Sequence, residues 1–113
     1  MKAKSDINNK LKLIAQKFDI ENDLIHFLFL IGIQESGYGF KQFSKAEKTD
    51  LIELGAATVL SAYGYYTQVE TESDIPYYVI NPDKELPETY QKERLLKAGI
   101  IDYFSKKTKY DAN

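Results

Sequence analysis

From Leu24 to Ile33 the chain reads Leu-Ile-His-Phe-Leu-Phe-Leu-Ile-Gly-Ile, with no clean polar face at any helical phase. A helix that is apolar on every side is stable in water only when other elements surround it. The run is also too short to cross a bilayer, which takes about 20 apolar residues. It therefore predicts the central helix of a soluble core or of an oligomer, buried almost all round, and the rest of the chain must supply its cover.

That rest is modest. A chain of 113 residues buries roughly two-thirds of its unfolded surface without staples. No linker, internal repeat or low-complexity tract divides it, so a single globular domain over residues 1–113 is expected. No cysteine is present, which excludes disulfides, thiolate nucleophiles, iron–sulfur clusters and cysteine-ligated zinc, and fits a reducing compartment. Residues 1–6 lead straight into an amphipathic pattern, with no apolar stretch and small-residue cleavage site, so a cytoplasmic location is expected.

Periodicity supplies the elements. Ile7, Leu11, Ile14 and Phe18 fall at i, i+4, i+7 and i+11 and predict a first helix, capped by Ser5 or Asp6. Asp19-Ile20-Glu21-Asn22-Asp23 offers short acceptors for the start of the apolar helix, and Ser36-Gly37-Tyr38-Gly39 offers glycines to end it. Phe40 and Phe43 are placed to anchor the following loop. Ser44-Lys45-Ala46-Glu47 has the form of a capping box and opens a third helix through Leu51, Ile52, Gly55, Ala56, Val59, Leu60 and Tyr63. Gly55-Ala56-Ala57 makes its middle thin, and Gly32 is a second thin spot, so these two helices are predicted to pair.

After Gly64 the pattern alternates, predicting strands at Tyr65–Thr71 and Tyr77–Ile80 joined by a turn at Ser73-Asp74-Ile75-Pro76. Asn81-Pro82-Asp83-Lys84 is a second turn, and Pro87 is placed to open a last helix containing Leu95, Leu96, Ile100, Tyr103 and Phe104, which Gly99 weakens. The expected fold class is mostly α (α+β): about four helices, with a small antiparallel β-hairpin between the third and last helix.

Charge is unevenly spread behind a net value of −2. Lys2, Lys4, Lys10, Lys12 and Lys17 face only Asp6 at one end, and Lys106, Lys107 and Lys109 make the other end basic. Residues 70–93 are acidic, so the middle is suited to meet the basic ends, within a chain or between chains. Arg94 is the sole arginine, which disfavours nucleic acid, since arginine supplies most bidentate contacts to guanine and phosphate.

Few residues carry chemistry. His26 is the only imidazole, so no multi-histidine metal site exists; with Asp23 three residues earlier it has the spacing of an oriented base. Glu35 follows an apolar helix and is flanked by glycines able to open a groove. The words Gln34-Glu35-Ser36-Gly37-Tyr38 resemble the Glu-Ser-Gly stretch that carries the catalytic acid in lytic transglycosylases of the lysozyme superfamily. That family's downstream Gly-Leu-Met-Gln segment has no counterpart after Phe40, so the likeness covers a handful of residues. Neither a Walker loop nor a dinucleotide fingerprint is present, and no cofactor is expected.

Nine tyrosines are an excess for this length, and Tyr65, Tyr66, Tyr77 and Tyr78 gather on the hairpin. Tyrosine joins a large apolar area to a polar tip and favours protein or ligand contacts when exposed. The structural alternative packs Tyr65 and Tyr77 on the helices and leaves Tyr66 and Tyr78 outside as cross-strand partners. The leading expectation is a non-enzymatic protein-interaction or assembly domain, a homo-oligomer or a binder of another protein, with no membrane partner. The rival is a small-molecule-binding protein or hydrolase with a groove around Glu35, Tyr38 and His26.

Overall fold

A computed structural model of the chain describes residues 2–39 and 41–112, and the side chains of residues 6–39 and 41–106. The elements are α1 (Lys2–Phe18), α2 (Leu24–Ser36), α3 (Lys45–Ser61), β1 (Tyr66–Val69), β2 (Tyr77–Ile80) and α4 (Thr89–Ala112). Four helices with an antiparallel hairpin between the third and the last match the expected class. Phe40 lies outside the described residues, as do the side chains of Lys2, Lys4, Ser5, Lys107 and Lys109.

The apolar run is covered within one chain. Phe27, Leu28, Leu30, Ile31, Gly32 and Ile33 are buried, whereas Ile25, at the start of the helix, stays exposed. Leu11 and Ala15 of α1, Val59 and Leu60 of α3, and Leu96, Ile100 and Phe104 of α4 close around α2. Phe43 anchors its loop as expected, buried with Ile33 and Leu51 and edge-on to the Phe29 ring at 5.7 Å between centroids.

The most extensive helix contact is α2 against α3, and it rests on two reciprocal glycine positions. A Cβ on Gly32 would run into the Leu51 backbone carbonyl, and a Cβ on Gly55 into that of Leu28. Each helix thus presses its backbone into the gap that the other's glycine leaves. Gly99 repeats the device on α4, where a Cβ would strike the Val59 side chain. Its weak helix propensity is exchanged for close approach to α3.

Caps set the boundaries. Asp23 caps α2, and Gly37, at φ 74°, ends it in the left-handed region where glycine carries no Cβ penalty. Ser44 and Glu47 complete the capping box of α3, Ser44 Oγ accepting from the Glu47 amide at 3.1 Å and Glu47 Oε1 from the Ser44 amide at 2.8 Å. The start of α1 differs from expectation: the helix begins at Lys2, so positions 5 and 6 lie within it rather than at its N-cap. Pro87 also falls before its helix, because the Glu88 carbonyl accepts the first helical bond, from the Lys92 amide at 2.7 Å, and α4 begins at Thr89.

The hairpin pairs Tyr66 with Ile80 and Val69 with Tyr77, leaving residues 70–76 as its loop. β1 starts at Tyr66 because the Tyr65 amide is used elsewhere, donating to the Leu60 carbonyl at 3.2 Å as the chain leaves α3. Alternation therefore begins one residue late, and a one-residue slip exchanges the two faces of a strand. Tyr66 and Tyr78 share the face turned to α3, and Tyr77 points outward at 57% exposure. This corrects the packing that placed Tyr77 inside and Tyr66 and Tyr78 outside. The base of the hairpin is tied down by Asn81, whose amide donates to the Tyr65 carbonyl and whose Nδ2 donates to the Gly64 carbonyl, both at 2.9 Å.

Substituting Gly55 by leucine is expected to cost about 3 kcal/mol or more, since the added branch meets backbone that cannot move aside. Chemical denaturation measures the loss; unchanged stability and elution volume would contradict the glycine-mediated contact.

Candidate functional site

Because α3 turns its glycine face to α2 and its other side to the hairpin, a groove forms between α3 and the hairpin. It has a volume of about 840 Å³, within the range of small-molecule and cofactor sites, about 300–1,000 Å³. Leu51, Leu54 and Ala57 of α3 form apolar lining, Tyr66 and Tyr78 of the hairpin stand across from them, and the outward-turned Tyr77 borders the groove. Ser36 and Tyr38 border it just past the end of α2, where Ser36 Oγ donates to the Ile33 carbonyl at 3.0 Å and accepts from the Tyr38 amide at 3.3 Å. The half-exposed Tyr38 ring is steadied by Lys41, whose Nζ lies 5.2 Å from its centroid.

Charge along this groove is one-sided. Glu47, Asp50 and Glu53 recur every three residues on α3 and line it while exposed to solvent; Lys92 of α4 is the basic residue among its lining. The Ser44 amide holds the Glu47 carboxyl below the usual carboxylate range, so this end of the stripe is charged at neutral pH. Aromatic area, apolar floor and carboxylates together suit a ligand that is part apolar and part cationic.

Of the four hairpin tyrosines, the structure brings Tyr66, Tyr77 and Tyr78 to this groove. Tyr65 lies apart, partly buried on the core beneath Lys84, whose Nζ sits 4.6 Å from its centroid while also donating to the Tyr63 carbonyl. The carboxylates were not singled out from the sequence, where Glu47 reads as a cap. Their signal is the three-residue spacing Glu47, Asp50, Glu53, which puts them on one side of α3.

Glu35, Tyr38 and His26 do not come together. His26 stands at the start of α2, where Asp23 Oδ1 accepts its amide at 2.9 Å and its Nδ1–H at 2.7 Å. Both contacts belong to the cap of α2, and the His26 amide, followed by its ring, holds the Asp23 carboxyl below its ordinary value. Glu35 is two and a half turns further on, about 13 Å along the axis. There Glu35 Oε2 accepts the Tyr103 hydroxyl at 2.6 Å, a link that ties the end of α2 to α4. Burial, then this carboxylate, pushes the Tyr103 hydroxyl well above the usual tyrosine value.

No family model, no curated protein and no solved structure matches the chain. The Glu-Ser-Gly likeness accordingly extends no further than its own residues. Among the described residues no helix is long and apolar enough to cross a membrane.

Asp23→Ala should destabilise the fold by about 1 kcal/mol through loss of the cap, and His26→Ala, which keeps the backbone bond, by less. The Asp23 contribution is present above its unfolded value of 3.8 and fades as pH falls through the lower folded value. Acid titration of stability should therefore flatten in Asp23→Ala. At the opposite extreme, Tyr103→Phe should cost about 1 kcal/mol near neutrality. Because the folded state holds the Tyr103 proton more tightly, wild-type stability falls above pH 10.0, and denaturation of Tyr103→Phe should show a shallower alkaline decline.

Proposed function

We propose that this chain is a non-enzymatic protein-interaction domain that receives a polypeptide segment in the groove between α3 and the hairpin. The observation that carries the reading is the groove itself: an apolar floor, Tyr66 and Tyr78 opposite it, Tyr77 at its border and a line of carboxylates. Protein interfaces favour tyrosine because it buries much area with few rotatable bonds. The carboxylates add a requirement for positive charge in the partner, and they steer its approach. By contrast, the acid and the imidazole needed for a hydrolase stand at opposite ends of α2, each engaged in a contact that fixes the fold.

Selection of random twelve-residue peptides on the immobilised chain is expected to enrich sequences with lysine or arginine beside a large apolar residue. Amide chemical shifts on binding should then change at Leu54, Ala57 and Tyr78. Enrichment of no such peptide, or shifts confined to another surface, would overturn the reading.

A further inference from the structure

We infer that the groove is occupied by α1 of a second copy of this chain, an inference that rests on reading the groove as a polypeptide site. Two surfaces of the same molecule are complementary in charge and in apolar area. One is the groove with Glu47, Asp50 and Glu53. The other is the outer face of α1, where Leu13 is 64% exposed on an amphipathic helix whose remaining large apolar side chains turn inward. Lys10 and Lys17, both exposed, lie one turn before and one turn after Leu13 on that face.

The dimensions agree. Lys10 to Lys17 spans about 10 Å of helix and Glu47 to Glu53 about 9 Å, so both lysines reach the carboxylates while Leu13 sits between them. An isolated exposed leucine is unremarkable. Here it is bracketed by the charge that the apolar groove lacks. Lys10 pairs with Asp6 at 3.3 Å within its own helix, an exposed contact that is readily exchanged. Among the described residues no ion pair joins the α1 lysines to acids elsewhere in the chain. α1 packs on α4, whereas the groove belongs to α3 and the hairpin, so the contact is made between molecules.

Each copy then offers one stripe and one groove, which are different surfaces. Association is then either reciprocal, a two-fold dimer in which each copy's stripe fills the other's groove, or head to tail, closing as a ring or extending as a chain.

The test uses light scattering coupled to size exclusion across a dilution series of the full chain. The mass should rise with concentration above that of one copy, and association should weaken severalfold between low and high salt. Leu13→Glu blocks the stripe, and Asp50→Lys with Glu53→Lys blocks the groove. Each is expected to be monomeric, with association weakened at least about thirtyfold, the scale of an interface hot spot. Mixed together, the two variants retain one good stripe and one good groove and should form a one-to-one dimer and nothing larger. Circular dichroism confirms that each is folded; Lys10→Glu with Lys17→Glu replaces Leu13→Glu should that variant lose helix, and Glu53→Lys alone replaces the groove pair.

A wild-type chain that is monomeric up to about 1 mM, or variants that do not associate when mixed, would overturn the inference. A monomer that still selects basic peptides into the groove would remove the second copy as occupant and keep the interaction reading. A monomer that selects none would remove both.

Discussion

The contact on which the structure depends is the pair of backbone approaches between α2 and α3, Gly32 against the Leu51 carbonyl and Gly55 against that of Leu28. Side chains at either position would hold the helices apart and admit water beside a helix with no polar face to meet it. Close approach also lets the neighbouring residues interlock, so that Leu28 and Leu51 are themselves buried. Burial of a large aliphatic side chain is worth about 1.5–3 kcal/mol, and α2 contributes several. A glycine costs a helix about 1 kcal/mol in propensity, so the exchange is favourable when each glycine brings several such side chains into contact.

This contact also orients the outer surface. With its glycine face committed to α2, α3 presents Leu54 and Ala57 toward the hairpin and Glu47, Asp50 and Glu53 along its edge. The hairpin is held at its base, where Asn81 and Lys84 bind the turn that leaves α3, and Tyr66 reaches down to the core. Tyrosine is long, so strands supported on tyrosine stand off the helix. The groove is the space left between a thin helix and a ribbon raised on aromatic side chains.

Much of this was legible in the sequence, and what was legible was local. The capping box at Ser44, the stop at Gly37 and the acceptor at Asp23 are decided by residues within a turn of one another, and all three stand where the spacing puts them. The thin patch at Gly55 and its partner Gly32 could be read because only close packing gives such residues a use in the middle of a helix. The faces of the hairpin could not be read, because they depend on whether the Tyr65 amide closes the end of α3 or opens the strand. The Leu60 carbonyl takes that amide, and every tyrosine after it changes side. Pro87 was misplaced by the same kind of ambiguity, since proline suits both the first turn of a helix and the extended residue before it. The carboxylates of the groove went unnoticed for a different reason: in a chain rich in acids, only the neighbouring hairpin distinguishes Glu53 from any other exposed glutamate.

An all-round apolar helix invites the conclusion that a second chain must cover it, yet three helices of the same chain bury every α2 residue from Phe27 to Ile33 except the partly buried Phe29. The apolar run is therefore an argument about the core and carries no weight for assembly. What bears on assembly is the apolar surface left over once the core is complete. Leu13 on α1 and the apolar area that the groove leaves open are such a remainder. Their position next to lysines in one case and carboxylates in the other gives that remainder a direction, because each apolar surface carries the charge that the other attracts.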